Sequence, residues 1–268
     1  MAKLSVNETT TFRWSLEEDA AAYSAAGIPA IGVWRQKLSD LGAGRAAQLL
    51  AEYRLEVSHL FWAGGFTGSD GRTYRESVQD ACDAVRTTAA LHARCLVVCS
   101  GARAGHTSNH AHRLVKDALA EVAPLAEEHG VTLAIEPMHP GCAANCTFLT
   151  RLDEVVRLLD AVGSPWVKLV LDTYHVGHDA ALVGRIPQLA PHIALVQLGD
   201  ARQPPRGEQN RCRLGDGNLP LRNIVDALKA AGYDGYYDVE LLGEDVESCG
   251  YPSLLDHAKA AYADLVGE

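Results

Sequence analysis

Short apolar runs rich in Val, Ile, Leu and Tyr recur along the chain, and between them apolar residues return every three or four positions. The first pattern predicts buried strands and the second amphipathic helices. The predicted strands are Leu4–Asn7, Ala30–Trp34, Glu56–Leu60, Cys95–Ser100, Val131–Glu136, Val167–Asp172, Ile193–Gln197 and Tyr236–Glu240. A helix runs from a Ser15-Leu-Glu-Glu18 capping box through Ala25 and is closed by Gly27. Further helices are predicted over Ser39–Tyr53, Tyr74–His92, Asn109–His129, Leu152–Leu159, Ala180–Leu189, Leu219–Ala231 and Ser253–Leu265. Strands that alternate with helices in this way imply parallel βαβ units, and eight of them close an α/β (β/α)8 barrel, a TIM barrel, over residues 1–268 as a single domain. An open doubly wound sheet is the alternative, but no G-x-G-x-x-G follows the first strand.

Four of the apolar runs end alike. Val131-Thr-Leu-Ala-Ile stops at Glu136 and turns through Pro137-Met-His-Pro140; Val167-Lys-Leu-Val-Leu stops at Asp172; Ile193-Ala-Leu-Val stops at Gln197; Tyr236-Tyr-Asp-Val stops at Glu240. A strand that ends in this way delivers its polar residue to the carboxyl edge of the sheet, where α/β folds keep their chemistry. One such residue alone reads equally well as a helix cap or a solvated loop acid. Four of them at steps of 36, 25 and 43 residues, one strand and one helix per step, favour a shared role.

Composition narrows what that role is. The chain has 268 residues, is 47% hydrophobic and carries a formal charge of -10, which suits an ordinary globular protein and disfavours nucleic-acid or anionic-membrane partners, since those draw their affinity from clustered Lys and Arg. No apolar stretch approaches the length of a membrane span and no signal peptide is evident, so the expected location is the cytoplasm. The seven cysteines read as reduced thiols, with Cys95 and Cys99 as small buried hydrophobes. Cys142 and Cys146 match no common zinc spacing.

In a barrel, Glu136, Asp172, Gln197 and Glu240 converge on one mouth and can surround one ion. An all-oxygen set with three carboxylates favours Mn²⁺ or Mg²⁺ over zinc, with Co²⁺ as a further candidate. Such an ion polarises a carbonyl and stabilises the enediolate formed when the adjacent proton leaves, which is isomerase and epimerase chemistry. Glu136 and Glu240 are the candidate proton-transferring bases. His175 is a candidate substrate contact, as are His106, Arg202, Arg206 and Arg211 on the loops and Trp34 and Trp62 as stacking surfaces. Each has an ordinary alternative: a satisfied turn histidine, a solvated arginine or a core aromatic. Arg35 and Lys37 are expected to place positive charge beside the site, and Asp200 to orient a ligand.

The pieces Ala134-Ile-Glu-Pro137, Leu171-Asp-Thr-Tyr-His175, Val196-Gln-Leu-Gly-Asp200 and Asp238-Val-Glu240 resemble the xylose-isomerase-like superfamily of sugar phosphate isomerases and epimerases, and the resemblance covers essentially the whole chain. That superfamily also holds ketose 3-epimerases, hydroxypyruvate isomerases, inosose and 3-dehydroshikimate dehydratases and the endonuclease IV group. The resemblance implies a metal-dependent enzyme acting on a small carbohydrate or polyol ketone, in a fold that often forms homo-oligomers. Ketose epimerases carry a histidine where this chain has Gln197, and a glutamine there resembles the dehydratases, so a lyase acting on an inosose or 3-dehydroshikimate type of ketone is the alternative. Both reactions open with proton loss beside a carbonyl and differ in whether a β-hydroxyl then leaves. A nuclease is disfavoured by the acidic charge, and a non-catalytic sugar-binding barrel by the intact set of four ligands.

Overall fold

A computed structural model describes residues 3–267. Eight parallel strands close a barrel in chain order: β1 (Lys3–Asn7), β2 (Ala30–Trp34), β3 (Glu56–Gly64), β4 (Cys95–Cys99), β5 (Thr132–Ile135), β6 (Val167–Asp172), β7 (Ile193–Leu198) and β8 (Tyr236–Val239). The ring is sealed where Leu4 pairs with Tyr237 and Val6 with Val239. The helices are α1 (Leu16–Ala26), α2 (Ala43–Glu52), α3 (Tyr74–Ala90), α4 (Ser108–His129), α5 (Leu152–Val162), α6 (Thr173–Val176), α7 (Leu182–Leu189), α8 (Leu221–Ala230), α9 (Glu244–Glu247) and α10 (Tyr251–Val266). None of them is long and apolar enough to cross a membrane.

Strand periodicity sorts the side chains into two faces. Leu133, Ile135, Leu169, Leu171, Val196 and Leu198 face outward and join helix residues such as Leu119, Val155, Ile186 and Ile224 in the main core. Burying each such side chain contributes roughly 1.5–3 kcal/mol, so the wrap of helices follows from the apolar outer face. The intervening residues Val97, Ala134, Val170 and Leu195 form a smaller cluster inside the barrel. Two positions further along the same face come Cys99, Glu136, Asp172 and Gln197, so the inward stripe changes from apolar to polar at the carboxyl ends of the strands.

The other interior wall is polar throughout. Ser5, Asn7, Ser58, His59 and Asp238 are all buried. Ser5 Oγ lies 2.7 Å from Ser58 Oγ, Ser58 Oγ 2.9 Å from His59 Nδ1, and Asn7 Nδ2 3.2 Å from both His59 Nε2 and Asp238 Oδ2. Gly32 makes room for this network, because a Cβ there would stand 2.3 Å from His59 Cε1.

Element boundaries depart from expectation where tertiary contacts override local pattern. The helix expected from Ser39 begins at Ala43, and Arg35–Ser39 is a 3-10 turn. Lys37 pins that turn by donating to the carbonyls of Glu8 and Thr11 and by pairing with the buried Asp19. The strand expected to end at Leu60 runs on to Gly64, paired with β4 through Ala63 and Gly64. The short helix α6 follows Asp172 directly, because the Asp172 carboxylate caps it by accepting from Tyr174 N at 2.8 Å. The capping box on α1 forms as expected, and Gly27 ends that helix at φ 71°.

Candidate active site

Glu136 and Glu240 each stand one residue beyond the last residue of their strand. Their backbones are nevertheless fixed, since Glu136 N donates to Val98 O at 3.2 Å and Glu240 N to Leu198 O at 3.0 Å. Asp172 and Gln197 are paired with each other across β6 and β7. All four predicted ligands are therefore carried on rigid strand ends, and all are buried.

His175 joins them more closely than the sequence indicates. One turn of α6 carries it from Asp172 back over the mouth, and its Nε2 lies 3.6 Å from both Glu136 Oε1 and Asp172 Oδ2. Glu136, Asp172 and His175 together place one donor atom each within 4.8 Å of one another. On the far side Gln197 Nε2 donates to Glu240 Oε2 at 2.8 Å. Glu136 Oε2, His175 Nε2 and Gln197 Oε1 are buried with no hydrogen-bond partner. Buried polar atoms left bare are costly, and three of them converging among carboxylates fit a divalent cation.

The electrostatics agree with the geometry. Burial, then the charges of Glu240 and Asp172, push the Glu136 carboxyl well above its usual range, with Arg211 opposing them. Burial likewise raises Glu240, against the pull of Arg211. Burial lowers the His175 imidazole to about 3, so the ring is neutral at ordinary pH and keeps a lone pair for a ligand or substrate. Cys142 Sγ lies 3.7 Å from His175 Nδ1 and helps orient the ring.

Arg211 is the loop arginine that enters the site. It is fully buried, donates to Asp172 at 2.8 and 3.2 Å, and lies 3.5 Å from Glu240 Oε2. The other two predicted loop arginines remain at the surface. Arg202 is exposed and pairs with Asp245 at 3.4 Å, and Arg206 is exposed beside Glu208. His106 lies 3.1 Å from the Thr67 carbonyl, in the loop after β4. Trp62 packs with Cys99, Met138 and Ala143 beside Glu136, and it also lines, with Trp34, Arg35, Phe61 and Asp80, a cavity of about 290 Å³.

Two expectations are corrected. Arg35 and Lys37 bring no free positive charge to the site, since Arg35 is neutralised by Asp80 at 2.7 Å and Lys37 by Asp19. Asp200 orients no ligand; its carboxylate accepts from the backbone N–H groups of Ala201, Gly215, Gly217 and Leu219 and so shapes the long loop before α8. The sequence reading also passed over Thr9, whose Oγ1 lies 2.9 Å from Asn7 Oδ1 and 3.4 Å from Glu240 Oε1. The signal was present, because Leu4-Ser-Val-Asn7 is another apolar run that ends in a polar residue. A larger cavity of about 1180 Å³, bordered by Lys3, Glu56, Arg94, Lys168 and Tyr236, lies at the opposite end of the barrel and touches none of these groups.

Comparison with known proteins identifies relatives of this barrel. A family model described as xylose isomerase-like TIM barrel matches residues 20–264. A provisionally named hydroxypyruvate isomerase of Streptomyces coelicolor is 28% identical, with 92% of each chain covered. An L-ribulose 3-epimerase of Mesorhizobium japonicum is 34% identical over 117 residues, which cover 43% of this chain and 36% of the epimerase. The crystal structure of a Sinorhizobium meliloti protein superposes with a TM-score of 0.90 at 28% identity, covering 98% of both chains.

Proposed function

Since the chain belongs to the xylose isomerase-like TIM-barrel family, we propose that it is a divalent-metal-dependent isomerase or epimerase of a keto-sugar or polyol ketone. The observation that carries this reading is the cluster of Glu136, Asp172 and His175 donor atoms within 4.8 Å of one another, with Glu136 Oε2, His175 Nε2 and Gln197 Oε1 left without a partner and Gln197 holding Glu240 beside them. A Mn²⁺ or Mg²⁺ ion held by the four strand-end residues, with Co²⁺ a further candidate, would polarise a substrate carbonyl and acidify the neighbouring C–H.

The protein groups then divide the work. Glu136, just past β5, and Glu240, just past β8, approach the mouth from different strands, so one can accept the proton and the other return it to the opposite face of the carbon. Gln197 and Arg211 hold Glu240 by Oε2 and leave Oε1 directed toward Thr9. His175 Nε2, neutral and without a hydrogen bond, suits a substrate hydroxyl or completes the donor set. Trp62 and Met138 give the sugar an apolar face and exclude water from beside Glu136.

The reading is tested by incubating metal-free and Mn²⁺-reconstituted protein with a panel of ketoses and inososes and resolving the products by chromatography. An epimer or positional isomer formed only in the reconstituted sample supports it; equal conversion in both samples contradicts it. Dehydration is the second reading, on the resemblance of a glutamine at position 197 to the dehydratases. A vinylic or aromatic proton signal in the products, without a sugar isomer, would establish it.

A further inference from the structure

Three aromatic residues, Trp34 at the end of β2 and Phe61 and Trp62 in β3, are half-buried and line one cavity of about 290 Å³ together with Arg35, Arg72 and Asp80. The cavity lies toward the carboxyl ends of these strands, on the same side of the barrel as Glu136. Phe61 packs onto the apolar cluster inside the barrel, and Trp62 onto Cys99, Met138 and Ala143. Both residues therefore reach from the cavity to the candidate site.

The polar rim of the cavity is locked in place and balanced in charge. Asp80 accepts from Arg35 Nη2 at 2.7 Å, from Arg35 Nη1 at 2.9 Å and from Arg72 Nη1 at 2.8 Å. Arg72 is held in turn by Asp70, to which its Nε donates at 2.8 Å, and by the Gly64 carbonyl, to which its Nη2 donates at 2.9 Å. Gly65 leaves room for this pair, since a Cβ there would stand 2.6 Å from Asp70 Oδ2 and 2.9 Å from Arg72 Nη2. The two guanidiniums are matched by the two carboxylates, and none of the four groups belongs to the metal-binding set. The exposed Gln36 adds an amide donor and acceptor to the same rim.

Aromatic walls with a neutral edge of planar hydrogen-bonding groups suit an uncharged polyhydroxylated ring. Its C–H faces lie on the aromatic rings and its hydroxyls meet the amide, guanidinium and carboxylate groups. A phosphate finds no unmatched cation among the lining residues, and an alkyl chain would cover the rim without satisfying it. Ligand pockets commonly measure roughly 300–1,000 Å³, so this space suits a single ring.

We propose that the cavity is a second sugar subsite and that the substrate is a keto-sugar carrying a further neutral pyranosyl ring, a ketose-containing disaccharide or glycoside. The substrate class deepens the isomerase reading and rests on it; the subsite itself does not. Trp62 borders both spaces, so one molecule places its carbonyl beside Glu136 and its second ring against Trp34.

The test is calorimetry of the full chain reconstituted with Mn²⁺, titrated with D-fructose and with three disaccharides that end in fructose: maltulose, lactulose and isomaltulose. At least one disaccharide is expected to bind about tenfold or more tightly than fructose, the gain from one stacked and hydrogen-bonded ring. Trp34→Ala should bring the ratio of disaccharide to fructose affinity close to one, and Trp34→Phe, which keeps an aromatic face, should preserve most of it. Three disaccharides that bind no better than fructose, or a ratio that survives Trp34→Ala, overturn the subsite while leaving the isomerase reading in place. A preserved affinity gain with no isomer formed from any of the sugars overturns the isomerase reading and the substrate class, and supports the subsite.

Discussion

Gln197 Nε2 donates to Glu240 Oε2 at 2.8 Å between the neighbouring strands β7 and β8, and this bond leaves Gln197 Oε1 buried without a partner. The amide therefore holds the Glu240 carboxylate with one end and offers an oxygen with the other. Gln197→Ala removes both functions. Mn²⁺ affinity measured by calorimetry is expected to fall by about 10–100-fold, the range seen when residues supporting a metal ligand are lost. An unchanged affinity would place Gln197 outside the ion's shell.

Glu240 has two roles in this account, as ligand and as base. Glu240→Gln keeps an oxygen donor but cannot carry a proton at that position. Turnover should be abolished, while Mn²⁺ occupancy, measured by metal analysis after gel filtration, falls only in part. Full activity in this variant would remove Glu240 from the proton transfer.

Arg211→Met leaves Asp172 and Glu240 buried without their matching charge. Breaking a buried pair by removing one partner costs about 3–5 kcal/mol, which urea denaturation of the metal-free protein should show. Saturating Mn²⁺ should recover much of the loss, because the ion replaces the missing positive charge and binds only the folded state. Equal stability of variant and wild type without metal would contradict the buried pairing of Arg211 with Asp172 and Glu240.

The pH dependence follows from Glu136, whose pKa is raised from its usual 4.5 by burial and by Glu240 and Asp172. A carboxyl raised in this way binds its proton more tightly in the folded state than in the unfolded state. Its contribution to stability is complete below pH 4.5 and is lost as pH climbs through the raised value. Glu136→Gln removes that dependence. In metal-free protein the Tm of the variant relative to wild type should therefore rise steadily from pH 4.5 upward; a difference that stays constant with pH would contradict the assignment.

The barrel was legible because parallel strands covered on both faces must be written as continuous apolar runs, and a polar residue that ends such a run stands out. Glu136, Asp172, Gln197 and Glu240 were found in that way. The position of His175 depends on one turn of α6 capped by Asp172, a three-residue spacing that admits many conformations until the turn is known. Arg211 was indistinguishable in sequence from Arg202 and Arg206, since its loop has no periodicity and its place is fixed by distant contacts with Tyr174 and Gly199. The charge of Lys37 was misplaced for a similar reason: its partner Asp19 lies on α1, across a gap that the local pattern does not bridge.

The most direct test of the central claim is proton NMR of a neutral ketose incubated in D₂O with Mn²⁺-loaded protein, with the ion removed before detection. Deuterium should appear at the carbon beside the carbonyl with the wild type, and should be absent with chelated protein and with Glu136→Gln. Incorporation that persists at the wild-type rate without the ion and without Glu136 would contradict the account.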